Sequence, residues 1–388
     1  MTEPVPAQFG RARSLAAVII AMAMVTMNHG LSYPLLALVL ERHGISSSLI
    51  GISTAVQAFA GLVFAFFAGN LIGRYGPGPI MAVSLATIAA IYLLLGAFPD
   101  YLLWLPLRFL LGGLGSFLWV ASEAWINALT DNASRGRVIG IYSTAAAVGS
   151  ALGPGILLLT GSEGFAPFIV IASVSFAGSI CILLAGTVRP AFPGTPSGGV
   201  LRYLLLAPLP ILLNFAYASI MEAFHTFFPI YAKGLAYLES DAFFIMTLIG
   251  LGGILLQYPM GWLADHMNRL LLLLICLGAS LAGILCIPLM LGAGVVGYAL
   301  FFLFGGIMSS LYSFGVVLLG ERFRGADLAM ASAMFTMMWS GGTFFGPPVA
   351  GFLMDQLGPS GLIVAMAGAI LVFLPMPIRA LFRSARAA

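Results

Sequence analysis

Turn and charge signals cut this chain into twelve stretches, each long and apolar enough to cross a bilayer as a helix, which takes about 20 mostly apolar residues. They fall near residues 15–40, 49–72, 79–98, 101–127, 138–160, 165–187, 204–232, 242–264, 270–291, 295–319, 329–353 and 358–380. The runs are unbroken, whereas a barrel strand alternates over short segments, so the pattern predicts an all-α membrane protein of twelve transmembrane helices. Composition agrees: 61% of residues are hydrophobic and 7% charged, against roughly 25% charged in a soluble domain. The first run is too long for a signal-peptide core and has no small-residue cleavage site, so it is kept as a span.

Basic residues orient the spans. With the N-terminus inside, 13 of the 16 Lys and Arg residues fall on inner loops and tails, Arg42 and Lys233 fall outside, and Arg108 lies within a span. The positive-inside rule then puts both termini in the cytoplasm. The net charge of +3 belongs to this rim, and no basic patch points to nucleic acid. Cys181, Cys276 and Cys286 all lie inside apolar runs, which fits small packing residues rather than a metal site or disulfides.

The chain repeats itself. "GLVFAFFAGNLIGRYGP" from Gly61 and "GILLQYPMGWLADHMNR" from Gly253 share an outline at an offset of 192 residues. "RFLLGG" from Arg108 pairs with "FFLFGG" from Phe301, "GSALGP" from Gly149 with "GGTFFGP" around Gly342, and "YP" at Tyr33 with "FP" at Phe228. The Pro/Gly/Ser-rich segment "RPAFPGTPSGG" begins at Arg189, at the midpoint. The organisation predicted is a six-helix half over 1–188, a linker over 189–203 and a second half over 204–388. Repeats across a midpoint mark secondary transporters, whose halves move about a site near the middle of the bilayer.

"GNLIGRYG" resembles the loop between helices 2 and 3 of the major facilitator superfamily, usually Gly-x-Leu-Ala-Asp-Arg-x-Gly followed by basic residues. Gly73 stands where the Asp is expected, and Pro77 and Gly78 where the basic pair would be, while the second copy keeps Asp265. "LWVASEAWINALTDNASRGRVIGIY" together with "GILLQYPMGWLAD" is similar to the YcaD-type carriers of proteobacteria. The resemblance covers the whole chain and implies the major facilitator fold, with spans 1, 4, 7 and 10 lining a central cavity. It also implies that Gly69, Arg74 and Gly76 in the first half, and Gly261, Asp265 and Arg269 in the second, form a cytoplasmic gate latch; otherwise Asp265 only caps a short loop. Glu123, Arg135 and Arg137 resemble partners of Arg74 in that gate. Gly149, Gly153 and Pro154, echoed by Gly346 and Pro347, resemble the helix-bending motif of exporters and favour efflux.

Ionisable groups inside the bilayer cost roughly 2.5–3.5 kcal/mol at a helix centre and by default suggest function. Counting about 1.5 Å per residue from the outer helix ends, His29 lies roughly 16 Å deep, Arg108 about 10 Å, Glu222 about 15 Å and His225 about 11 Å. They share a layer, and Glu222 and His225, spaced i, i+3, share a face. The leading reading makes Glu222 and His225 a protonation site, with Arg108 setting its proton affinity or holding an anionic part of the substrate. The alternative is a buried structural pair. His29 is either part of that layer or satisfied by Tyr33. Asn28, Gln57, Tyr142, Thr144, Asn214, Tyr217, Gln257, Tyr258, Ser309, Tyr312 and Trp339 are cavity candidates, and each alone also reads as an interhelical tie. The Met-rich run from Met334 reads either as an adaptable lining or as packing.

No nucleophile–base pair, metal-spaced His/Cys cluster or phosphate loop appears, so no enzyme is expected. Paired halves and the lack of a filter motif disfavour a channel. The expectation is a monomeric, proton-driven secondary carrier in the bacterial inner membrane, free of cofactor and metal, moving a small amphiphilic solute. An importer or uniporter of a small nutrient stays open beside it.

Overall fold

The computed structural model describes residues 5–130, 134–185 and 200–387. Its helices are α1 (Val5–Arg42), α2 (Ser47–Tyr75), α3 (Pro77–Ala97), α4 (Tyr101–Leu129), α5 (Arg135–Thr160), α6 (Ala166–Leu184), α7 (Arg202–Leu206), α8 (Pro208–Gly234), α9 (Glu239–Leu255), α10 (Gln257–His266), α11 (Arg269–Gly292), α12 (Gly294–Arg322), α13 (Gly325–Leu357), α14 (Ser360–Phe373) and α15 (Pro375–Ala387). No strand occurs among the described residues. Most of the linker expected over 189–203 lies outside the described residues.

Among the described residues ten helical segments have the length and apolarity of a span, with α14 and the start of α15 counted as one, and α9 with α10, bent by 43°, makes an eleventh. The expected span over 329–353 is α13, an unbroken helix of 33 residues whose apolarity is diluted by the "SGGTFFGPP" stretch. Three expected runs are interrupted instead of continuous, the last where Pro375 opens α15 after α14 ends at Phe373. Pro208 has no N–H to continue α7, so it opens a new helix. Pro259 denies Leu255 its i+4 donor and bends the eighth span around Leu256.

Local chemistry sets the ends. The Asp100 side chain accepts from the Leu103 N–H at 2.8 Å to cap α4, and that of Asn268 accepts from Leu270 and Leu271 to cap α11. Gly76 has φ +85 just before Pro77 opens α3. A tight turn of that hand explains the glycine of "GRYGP".

The chain divides into two compact units, Met1–His43 with Val56–Thr195, and Gly44–Ala55 with Pro196–Ala388. Within the first, α1 packs most extensively on α5, and α3 on α6; within the second, the most extensive pairs are α8 with α13 and α9 with α12. The repeated glycines make these contacts. A methyl group added at Gly149 would lie 2.1 Å from the Ala23 carbonyl oxygen, and one at Gly153 2.5 Å from that of Met27. In the second unit, Gly342 and Gly346 stand in the same relation to the carbonyls of Phe215 and Ser219, at 2.4 and 2.3 Å. Gly112 against Gln57 and Gly305 against Ile249 repeat the theme for α4 on α2 and α12 on α9. With no apolar driving force between helices in lipid, such close backbone approach supplies the packing energy.

The first turns of α2 cluster with the second unit. Asp355, near the end of α13, accepts from the N–H groups of Ser47 and Ser48 at 2.8 and 2.9 Å and from the Ser48 hydroxyl. It therefore caps another helix's orphan donors. Partial desolvation pushes its carboxyl up, but the bonds from Ser48 and Ser47 outweigh this and hold it below the usual aspartate range.

The second unit also has a strap at its charged end. Tyr203 and Ala207 pack into an apolar cluster with Ile211, Leu319, Ala331, Met334 and Phe335. The Tyr203 hydroxyl donates to Asp327, and Arg202 lies 3.5 Å from the same carboxylate.

Gly149→Val and Gly346→Val are each expected to destabilise by about 1–3 kcal/mol through overpacking. Gly278→Ala, where an added methyl meets nothing within 4 Å, serves as the neutral control. Thermal unfolding in detergent reads this, and unchanged midpoints for both valine variants would remove the close-approach account. For Asp355→Ala, a loss of about 1 kcal/mol is expected, the usual worth of a helix cap. Because the folded group titrates below its unfolded value of about 3.9, that advantage is fully present above this pH. It should shrink as pH falls through the lower folded value. A difference between wild type and variant that stays constant down to pH 3 would refute the cap.

Candidate functional site

Each unit buries its own polar group in the apolar layer. In the first, Arg108 of α4 is 1% exposed. Its Nε donates to the Gln57 side chain at 3.2 Å, and its guanidinium lies over the Tyr33 ring, 5.9 Å from the centroid. Tyr33 in turn meets His29, with ring centroids 4.2 Å apart. Tyr92, which hydrogen-bonds Ser32, and Tyr101 lie near the same guanidinium. The Arg-x-x-x-Gly spacing has a local cause. Gly112 lets the backbone of Gln57 reach α4, and the Gln57 side chain then meets Arg108 one turn away.

Sequence reading found His29, Gln57 and Arg108 but gave no place to Tyr92 and Tyr101, whose rings carry no charge to mark them. Asn28 and Tyr142 are placed as interhelical ties. Asn28 donates to Ser175 at 2.7 Å and to the Ile171 carbonyl, fastening α1 to α6. Tyr142 shares a hydrogen bond of 3.0 Å with Ser122, fastening α5 to α4. Thr144 is exposed.

In the second unit Glu222 is 0% exposed. It sits on α8, whose apolar window is 78% buried against 33–50% for the other single-helix spans. A carboxylate on the most enclosed helix has no route to lipid headgroups, so it must be met by protein. His225 follows on the same face, partly buried, with its ring 6.3 Å from that of Phe224.

One to three turns along α8, Asn214 donates to the Phe335 carbonyl at 2.6 Å. Three rings meet beside it: Tyr217 with Trp339 at 5.6 Å, Tyr217 with Tyr312 at 6.1 Å, and Tyr312 with Trp339 at 5.9 Å. Tyr217 also hydrogen-bonds Ser309. Gln257 and Tyr258 stay apart from this group. Both are exposed, Tyr258 by 83%, because the bend at Leu256 starts α10 in a new direction. Met334 belongs to the apolar strap cluster, which places it in packing.

The charged ends of the units differ. In the second, Arg269 lies 3.6 Å from Asp265 and pairs with Glu321 at the end of α12, while its Nε reaches the Ala264 carbonyl. One guanidinium thus joins α10, α11 and α12. Glu321 escaped sequence reading because it lies on another helix and reads as a terminal charge. Asp327, the anchor of the strap, escaped for the same reason. Gly261 has open space around it. In the first unit Arg74 lies over the neighbouring Tyr75 ring at 5.2 Å, as expected once Gly73 replaces the acid. Glu123 and Arg137 are exposed, and the Arg135 side chain lies outside the described residues. Among the described residues the structure forms no ion pair between Glu123 and Arg74. The tie made there is from Arg11 to the Leu129 carbonyl at the end of α4, a cation on a helix C-terminus. At the opposite end of α1, Arg42 holds Ser162 through its carbonyl at 2.7 Å and its hydroxyl.

The Major Facilitator Superfamily model matches residues 18–313 and 239–388. YcaD of Salmonella dublin, an uncharacterized MFS-type transporter, is 23% identical over 369 residues, covering 95% of this chain and 96% of its own. YfkF of Bacillus subtilis, also an uncharacterized MFS-type transporter, is 23% identical over 361 residues, covering 89% and 90%. Among solved structures, a bacterial homologue of the human lysosomal transporter Spinster, inward-facing and unoccupied, superposes with a TM-score of 0.77 at 13% identity, covering 100% of this chain and 98% of its own. The nucleoside transporter NupG gives 0.75 at 14%, covering 95% and 98%. These likenesses establish a shared fold.

The Arg269–Glu321 pair is open to a double-mutant cycle. Arg269→Ala and Glu321→Ala should show a coupling of about 0.5–1 kcal/mol in thermal unfolding, the range for half-exposed pairs. Additive single effects would show that the pair holds nothing.

Proposed function

This chain belongs to the Major Facilitator Superfamily and is a multi-pass membrane transporter rather than an enzyme, and on that footing we propose that it is a monomeric, proton-coupled secondary carrier that exports a small amphiphilic solute. The reading places it in the bacterial inner membrane with both termini in the cytoplasm, following the basic residues. Two six-helix halves joined by a linker over 189–203 alternate access, and the cytoplasmic latch is the Asp265–Arg269–Glu321 junction in the second half.

The observation that carries the coupling is Glu222, fully enclosed on α8. A carboxyl group held out of water favours its neutral form, and exposure to one side or the other during alternating access lets it take up or release a proton. His225 supplies a second titratable group on the same face. Arg108, equally enclosed in the first unit and held by Gln57 and Tyr33, keeps a fixed positive charge within the apolar layer. The glycine and proline pairs at Gly153-Pro154 and Gly346-Pro347 support helices that pivot.

Glu222→Gln, reconstituted in vesicles, is expected to abolish transport driven by a pH gradient and to leave exchange of solute on both sides intact. Unchanged rate and pH dependence in this variant would sink the coupling role.

A further inference from the structure

The three rings beside Asn214 stand at angles to one another, the edge-to-face arrangement that aromatic side chains favour. Tyr312 and Trp339 stand at 85°, Tyr217 and Trp339 at 62°, and Tyr217 and Tyr312 at 45°. No two are parallel, so they meet as the walls of a corner. The corner is not sealed. Tyr312 is 40% exposed, on the side of α12 turned to α8 and α13, and Trp339 is partly exposed. Aromatic faces carry negative charge density, and several arranged around one point attract a cation.

A second observation concerns Asn214, which is 1% exposed. Its amide nitrogen is committed to the Phe335 carbonyl, and since that partner only accepts, the amide orientation is fixed. Its Oδ1 is then an acceptor, buried with no hydrogen-bond partner, a state that costs about 1–3 kcal/mol. It lies one turn from Tyr217 on the same face of α8.

Charge points the same way. The membrane stretches of α8, α12 and α13 contain no Lys or Arg, and Glu222 is their only acid. His225 is the only other titratable group on these stretches besides tyrosines. These stretches therefore offer π faces, a carbonyl acceptor and a carboxyl group, and no cation of their own to balance an anion.

We propose that the corner of Tyr217, Tyr312 and Trp339, with Asn214 as acceptor, binds an organic ammonium ion bearing an N–H. This rests on the carrier reading above and names its substrate class: protonated amines on an apolar body. The ring walls hold the cation, and the Asn214 Oδ1 accepts from its N–H.

The test uses one body with three charges. 4-Phenylbutylamine, 4-phenylbutanol and 4-phenylbutyrate are titrated against the purified full chain in detergent at pH 7, with thermal stabilisation as the readout. The amine is expected to bind saturably and at least tenfold more tightly than the alcohol, and the carboxylate not at all. Trp339→Ala or Tyr312→Leu should weaken the amine at least tenfold, while Trp339→Phe retains it; the unliganded midpoint of each variant reports folding. Asn214→Leu should weaken the amine but leave the trimethylammonium analogue, which has no N–H, unchanged. Equal binding of alcohol and amine, preference for the carboxylate, or no binding of the three overturns the cation assignment and leaves the carrier standing. An amine that binds as expected yet is not moved in vesicles overturns the substrate class and leaves the binding site and the carrier standing.

Discussion

Everything in the two units hangs on how closely backbone can approach backbone. Inside a bilayer the lipid is as apolar as leucine, so burying side chains gains little, and helices associate through contact and through polar groups that find partners. Gly149 and Gly153 on α5, and Gly342 and Gly346 on α13, each place a helix against the carbonyls of its neighbour. Once α1 is fixed on α5, and α8 on α13, the residues one face over are fixed as well. His29 and Tyr33 take their places on α1, and Asn214, Tyr217 and Glu222 on α8.

The same economy explains how buried polar groups survive. Arg108 is met by an amide and tyrosine rings, which cost less to enclose than a charged partner. Glu222 is enclosed on the helix with the greatest burial. The first unit thus presents a fixed cation, and the second an acid beside aromatic walls. An alternating-access cycle needs such groups to be costly to leave unmet, because that cost is what a proton or substrate relieves.

Much of this was legible in the sequence, for a physical reason. Span lengths follow from bilayer thickness, and the repeats at Gly112 and Gly305, or Gly153 and Gly346, survive because only glycine fits where a carbonyl lies that close. His29, Arg108, Glu222 and His225 stood out as ionisable groups in apolar runs. The partners were less legible. Glu321 and Asp327 look like ordinary terminal charges until the fold brings α12 to α11 and α13 to α7, and Tyr92 carries no mark in an apolar run. Gln57 and Gln257 show the limit of residue type alone. The first sits at the Gly112 contact and so meets Arg108 one turn away, while the second follows the bend at Leu256 and is exposed.

The strap at Arg202 and Tyr203 gives the second unit a boundary of its own. Its hydroxyl and guanidinium close on Asp327 at the start of α13, and its ring lies in the cluster with Leu319 and Met334. Tension along the upstream connection is therefore borne by the start of the eleventh span before it can reach α8. A chain severed before Val200 would keep this anchorage, since Tyr203 and Asp327 both lie downstream of the cut, but it would take from the second unit the Ser47 and Ser48 donors that Asp355 holds.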